Sequence, residues 1–163
     1  MRTCKKINAQ LLNVKDNLSD VIQQANELFI KQFGNKQYHL FNKPITIETP
    51  ENKKDYGAEL NDFKTSSFCH IVSDEVSKRK RKLNKQRLAC VPYIYEMLQN
   101  FNNNVCSNKK CFLYKDKIET SSTLHFIACE TLNYLIILEE FRTHIIFRTA
   151  YIANRQYLSK VFT

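Results

Sequence analysis

Glycine and proline are scarce in this sequence, two and three residues respectively among 163. Little material is left for a flexible linker, so a single domain over residues 1–163 is expected, with a helical N-terminal extension to about residue 36. No apolar signal region opens the chain, and no uninterrupted apolar run approaches the roughly 18 residues that a membrane span needs. A soluble chain without membrane contact is expected.

A metal framework is lacking too. The six cysteines stand at 4, 69, 90, 106, 111 and 129. Cys106 and Cys111 are the nearest pair, with no second pair and no histidine at zinc-finger spacing. The acids are scattered singly, apart from Glu139-Glu140, whose side chains would leave opposite faces of a strand and could not share one ion. No metal and no other cofactor is implied. An even cysteine count permits disulfides, but the spacing gives them no support. Cys69, Cys90 and Cys129 lie within apolar runs and read as reduced core residues, which suits a reducing, cytoplasmic compartment.

What is abundant is positive charge. The formal net charge is +9 on a chain that is 43% hydrophobic and 25% charged. The core composition is ordinary, and the excess favours a polyanionic partner, nucleic acid or an acidic protein. Seven basic residues and no acid lie from Lys78 to Arg87: Lys78, Arg79, Lys80, Arg81, Lys82, Lys85 and Arg87. As a helical segment this run would repel itself, and a polyanion would relieve the repulsion. A solvated basic loop is the plainer reading of the same residues. Arg87 adds a planar fork able to hold a phosphate at two points.

In chain order, Leu18, Val21, Ile22, Ala25, Leu28, Phe29 and Phe33 recur at helical spacing, with Asn17 as cap and Gly34-Asn35 as stop. Tyr38 to Thr49 reads as extended, between Pro44 and Pro50 an edge strand. Phe68 to Val72 reads as a second short strand carrying His70. Pro92 opens a helix with Ile94, Leu98 and Phe101 on one face. Four strand-like runs follow: Cys111–Tyr114, Thr123–Ala128, Asn133–Glu140 and Thr143–Tyr151, with Lys115-Asp116-Lys117 as a turn. Asn154 to Phe162 reads as a short helix or a frayed extension.

The expected fold is therefore α+β, with N-terminal helices packed on a C-terminal four-stranded antiparallel sheet. Alternation along the last strand would place Ile145, Phe147, Thr149 and Tyr151 on one face. His144, Ile146, Arg148 and Ala150 would take the other.

Several stretches carry a resemblance: Cys69-His70-Ile71-Val72-Ser73, then Arg81-Lys82-Leu83-Asn84-Lys85-Gln86-Arg87, Val91-Pro92-Tyr93-Ile94 and Leu98-Gln99-Asn100. The last hairpin adds Tyr134 to Glu140 and Thr149-Ala150-Tyr151. In this order they resemble phage- and toxin-borne nucleases of the barnase, EndoU, colicin and RelE-like group, over residues 40 to 153. The resemblance implies metal-independent RNA cleavage, with the 2′-hydroxyl attacking phosphorus to leave a 2′,3′-cyclic phosphate. It implies RNA as substrate, tRNA or another, and an acidic immunity protein or antitoxin as partner.

On that footing His70 is the candidate proton carrier, because imidazole titrates near neutrality. Arg87 would stabilise charge on the phosphate, and Thr149 and Tyr151 would hold the phosphate or its leaving group. Lys78, Arg79, Lys80, Arg81, Lys85, Arg148 and Arg155 would contact RNA. His70 also reads as a buried, satisfied core histidine, Tyr151 as the closing residue of a sheet edge and His125 as structural. The competing class is a non-catalytic basic module that binds nucleic acid or protein.

Overall fold

The computed structural model describes residues 7–47, 54–63, 65–104 and 112–163. Helix α1 (Leu18–Phe33) starts where Asn17 accepts hydrogen bonds from the Ser19 and Asp20 amides, and ends at Gly34. Its buried stripe is Val21, Ile22, Ala25, Phe29 and Phe33, the face that the helical spacing predicts. A single 3-10 turn at Gly34–Lys36 leads to β1 (His39–Leu40) and β2 (Lys43–Thr46). Phe41 and Asn42, at φ 52° and 61°, form the two-residue turn between them, a conformation in which both central residues are left-handed.

Next come α2 (Ser66–Ile71), β3 (Ser73–Ser77), β4 (Lys80–Leu83), α3 (Lys85–Ala89) and α4 (Val91–Asn102). The chain closes with β5 (Phe112–Ile118), β6 (Thr123–Cys129), β7 (Tyr134–Glu140), β8 (Ile145–Ile152) and α5 (Arg155–Phe162).

The principal sheet has six strands in the order β1-β2-β8-β7-β6-β5, and β3-β4 is a separate hairpin. This corrects the expected four-stranded antiparallel sheet. β5 to β8 do form an antiparallel meander, but β2 joins β8 in parallel through Ile45 opposite Ile145 and Thr46 opposite Ile146. So short a pairing, between residues a hundred positions apart, leaves no periodic trace in sequence.

Three local expectations also give way. His70 lies on helix α2, not on a strand, since Phe68, Cys69 and Ile71 all reach the core from one short helical turn. The basic run is not one helix or one loop: Lys78 and Arg79 form the turn of the β3-β4 hairpin, Lys80 to Lys82 lie on β4, and Lys85 and Arg87 lie on α3. On β4 the alternation spreads the charges across two faces, so the repulsion of one continuous helix does not arise. Lys115 to Lys117 lie within β5, whose connection to β6 turns at Glu119–Ser122 instead. Cys111, the expected start of that strand, lies outside the described residues.

The main core lies on one face of the sheet. There α1, α2, α3 and α4 cover Ile45, Ile127, Ile136, Leu138, Ile145 and Phe147. Phe147 is wedged against Phe29 and Phe33, with ring centroids 5.3 and 5.0 Å away. Cys69, Cys90 and Cys129 are buried and free, and burial pushes the Cys69 thiol up to about 11 and that of Cys90 up to about 12. On the opposite face α5 sets Leu158 against Ala128, Leu135 and Ala153. Among the described residues no helix is long and apolar enough to cross a membrane.

Between β7 and β8 the register shifts: Leu138 faces Phe147, but Ile137 faces Thr149. Arg148 is the extra residue of a bulge. Past it the alternation is reset, so Ala150 joins Phe147 in the main core while Tyr151 packs with the α5 cluster. The expected grouping of Ile145, Phe147, Thr149 and Tyr151 on one face is therefore wrong beyond Phe147.

Candidate nucleic-acid interface

The β3-β4 hairpin turns at Lys78 and Arg79, with Arg79 left-handed at φ 65°. The turn is braced from outside. The Asp55 amide donates to the Arg79 carbonyl at 2.9 Å, and the Arg81 amide donates to the Asp55 carbonyl at 2.7 Å. Lys78, Arg79, Lys80 and Lys82 are exposed. Arg81 turns inward instead. Its Nε donates to Ser73 Oγ at 2.9 Å, and its Nη2 donates to the carbonyls of Ser73 and His70 at 2.6 and 3.2 Å. Arg81 thus ties α2 to β3 and has little left to offer a ligand.

Asn84 caps α3 by accepting from the Arg87 amide at 3.0 Å, and its own amide donates to Asp74 Oδ2 at 2.5 Å. Asp74 Oδ1 in turn lies 2.8 Å from Arg87 Nε. Arg87 Nη1 donates to Thr149 Oγ1 at 3.0 Å, and the guanidinium carbon stands 4.7 Å from the centre of the Tyr151 ring. One planar cation is thereby fixed by a carboxylate from β3 and by a hydroxyl and an aromatic face from β8. Burial and a hydrogen bond with Tyr157 raise the Tyr151 phenol above its usual pKa, against the pull of Arg87.

His70 stands at the edge of this group, half-buried on α2. Burial, then the charges of Arg81, Lys54, Arg87 and Arg148, lower its pKa to about 3. It is neutral at physiological pH. A neutral imidazole with so low a pKa cannot donate a proton and is a weak base. Because four cations contribute to the shift, an anion placed among them would raise the value again.

Arg148 pairs with Glu139. The bulge is what gives Arg148 and Thr149 the same side of the sheet. Lys85 and Arg155 are exposed in the first turns of α3 and α5, and no contact among the described residues joins them to Arg87. Of the residues expected to carry chemistry, Arg87, Thr149 and Tyr151 meet directly, and His70 is linked to them only through charge. Asp74 was missed by sequence reasoning. The one signal available, an acid four residues before the basic run, gains meaning only when the hairpin sets Asp74 opposite Lys82 and beside α3.

A second polar cluster lies near the β1-β2 turn. His125 on β6 has Nε2 2.6 Å from Glu140 and Nδ1 2.8 Å from the Tyr114 hydroxyl, and Lys43 Nζ donates to the other Glu140 oxygen. Phe41 stacks on the imidazole at 4.3 Å. Glu139 and Glu140 thus serve opposite faces of β7.

Comparison with protein-family models, with curated proteins and with solved structures finds no match for this chain.

Proposed function

We propose that the chain binds RNA by its sugar–phosphate backbone, at Arg87 and Thr149 and along the exposed tip of the β3-β4 hairpin. The supporting observation is the Arg87 guanidinium. Asp74 holds its Nε, Thr149 and Tyr151 hold its plane, and among the described residues its Nη2 donors have no acceptor. A fork fixed in this way suits a phosphate, because little side-chain entropy remains to be lost on binding. Lys54, Arg81 and Arg148 add positive potential nearby.

Cleavage of the bound strand is the second reading, favoured by the Asp74 carboxylate beside Arg87. In that reaction the 2′-oxygen bonds to phosphorus as the P–O5′ bond breaks. The 2′-proton passes to a carboxylate or water, the leaving oxygen takes up a proton, and Arg87 stabilises the crowded phosphate. No metal enters. His70, neutral and poorly basic, would serve only once the phosphate had raised its pKa. An acidic inhibitor protein would compete with RNA for the same surface.

The test incubates the purified chain with total tRNA in excess chelator, following binding and mapping any new ends. Salt-dependent binding is expected, and Lys78, Arg79 and Lys80 changed together to Gln should flatten the log affinity against log salt slope by roughly 2. Arg81 is left intact because its bonds are internal. Discrete cuts ending in cyclic phosphate would establish the cleavage reading, and binding without cuts would leave the non-catalytic module. No binding to any RNA would overturn the proposal.

A further inference from the structure

Beside the phosphate-binding group, on the same side of the sheet, lies a hollow of about 590 Å³ that the proposed contacts leave unused. Its floor is Leu124, Phe126 and Ile137, all half-buried, and its walls include Ser122, Glu139 and Arg148. The hollow is shallow and open to solvent. Glu139 is only 9% exposed. One of its oxygens accepts from the Ser122 hydroxyl at 2.5 Å, and the other accepts from the Arg148 guanidinium.

Strand register ties this hollow to Arg87. Phe126 faces Ile137 across β6 and β7, and Ile137 faces Thr149 across β7 and β8. Phe126, Ile137 and Thr149 therefore form one row across three strands, with Phe126 two strand spacings, about 10 Å, from Thr149. A phosphate at Thr149 would have the sugar and base of its own nucleotide lying along that row.

We infer that the hollow holds one unstacked nucleobase of the bound strand, so that the chain selects single-stranded over double-stranded RNA. The inference rests on the RNA-binding reading above. Its chemistry is that of a flat heteroaromatic ring: Phe126 and the two aliphatic floor residues meet its face, while the Glu139 carboxylate and the Ser122 oxygen accept and Arg148 donates at its edge. A base within a duplex is stacked on both faces and paired at that edge, and cannot enter. Recognition of splayed-out bases by stacking and edge contacts is the usual route to RNA selectivity.

The experiment measures affinity for a short single-stranded RNA, for the same RNA annealed to its complement, and for inorganic polyphosphate, which has charge but no bases. The wild type should prefer the single strand to the duplex by at least about tenfold. A fluorescent base analogue in the strand should be quenched on binding. Phe126→Leu keeps the apolar packing and removes the ring. It should lower single-strand affinity by about tenfold, abolish the quenching and leave polyphosphate binding unchanged. Should this variant not fold, the wild-type preference and the quenching still decide. Equal binding of single strand and duplex, with polyphosphate also bound, would overturn the base pocket while leaving backbone binding intact. Failure to bind any of the three would remove both readings together.

Discussion

His70 and His125 occupy opposite kinds of electrostatic surroundings in one small domain. Around His125 every polar group is closed on another: the imidazole between Glu140 and the Tyr114 hydroxyl, and Lys43 on the second Glu140 oxygen. Glu140 accepts at Nε2, which must therefore carry a proton. Burial alone would raise the Glu140 pKa, but hydrogen bonds from Lys43 and His125 outweigh it and the carboxyl sits below its usual value. Around His70 the cations Arg81, Lys54, Arg87 and Arg148 bear on one half-buried imidazole, and Asp74 is the carboxylate that pairs Arg87. The closed network stabilises the fold and leaves a ligand nothing to complete. The open cluster costs folding free energy that a bound anion would return.

The largest effect is expected at Glu140. Glu140→Leu leaves Lys43 and His125 without their shared acceptor in a mostly buried site. Loss of one partner from such a pair should destabilise the chain by about 2–4 kcal/mol in urea titration, with RNA affinity unchanged in the protein that remains folded. A loss below about 0.5 kcal/mol would mean that the network is ornamental to stability.

Arg87→Gln probes the open side. It removes the charge-assisted contact proposed for phosphate, and on that proposal RNA affinity should fall by roughly tenfold or more. Stability should change less than in the Glu140 variant, since Asp74 is half-exposed and can turn to water. Unchanged affinity would move the phosphate site away from α3.

The smallest effect concerns acid. His70 has a pKa of about 3 in the fold against an ordinary 6.5, so the unfolded chain takes up this proton first as pH falls. Its contribution to stability is full above about pH 6.5 and is lost progressively towards pH 3. His70→Gln should therefore make stability less sensitive to acid, by about 1 kcal/mol between about pH 7 and about pH 5.5. Parallel curves for the two proteins would show that His70 is not held neutral.

The readable parts of this chain are those in which one physical period repeats. α1 announces itself through a stripe from Leu18 to Phe33 with a capping Asn17 and a terminating Gly34, and the four closing strands through β-branched runs with short joints. The concealed parts depend on contacts distant in sequence. β2 meets β8 through two residue pairs, and the Phe41-Asn42 turn before it lacks the Asn-Gly form that marks a hairpin. The run Phe68 to Val72 has strand-like composition, but three of its residues are needed in the core from a single helical turn. At the site, Arg87, Thr149 and Tyr151 could be named for their chemistry. Their common side of the sheet could not be foreseen, because a bulge at Arg148 resets an alternation that sequence alone must assume to be regular.

The short parallel contact between β2 and β8 also bears on how the chain is made. Ile45 leaves the ribosome about a hundred residues before Ile145, its neighbour in the finished sheet. Until then the β1-β2 hairpin has no strand to dock on, and α1 has no Phe147 to cover. The stripe of α1 meets Phe68 on α2 and Tyr95 on α4 earlier, but its contact with Phe147 waits for the last strand, and the closing of so long a loop makes docking of β2 a late folding step. Chains interrupted before β8 would carry part of that stripe uncovered, a condition that recruits chaperones and promotes aggregation.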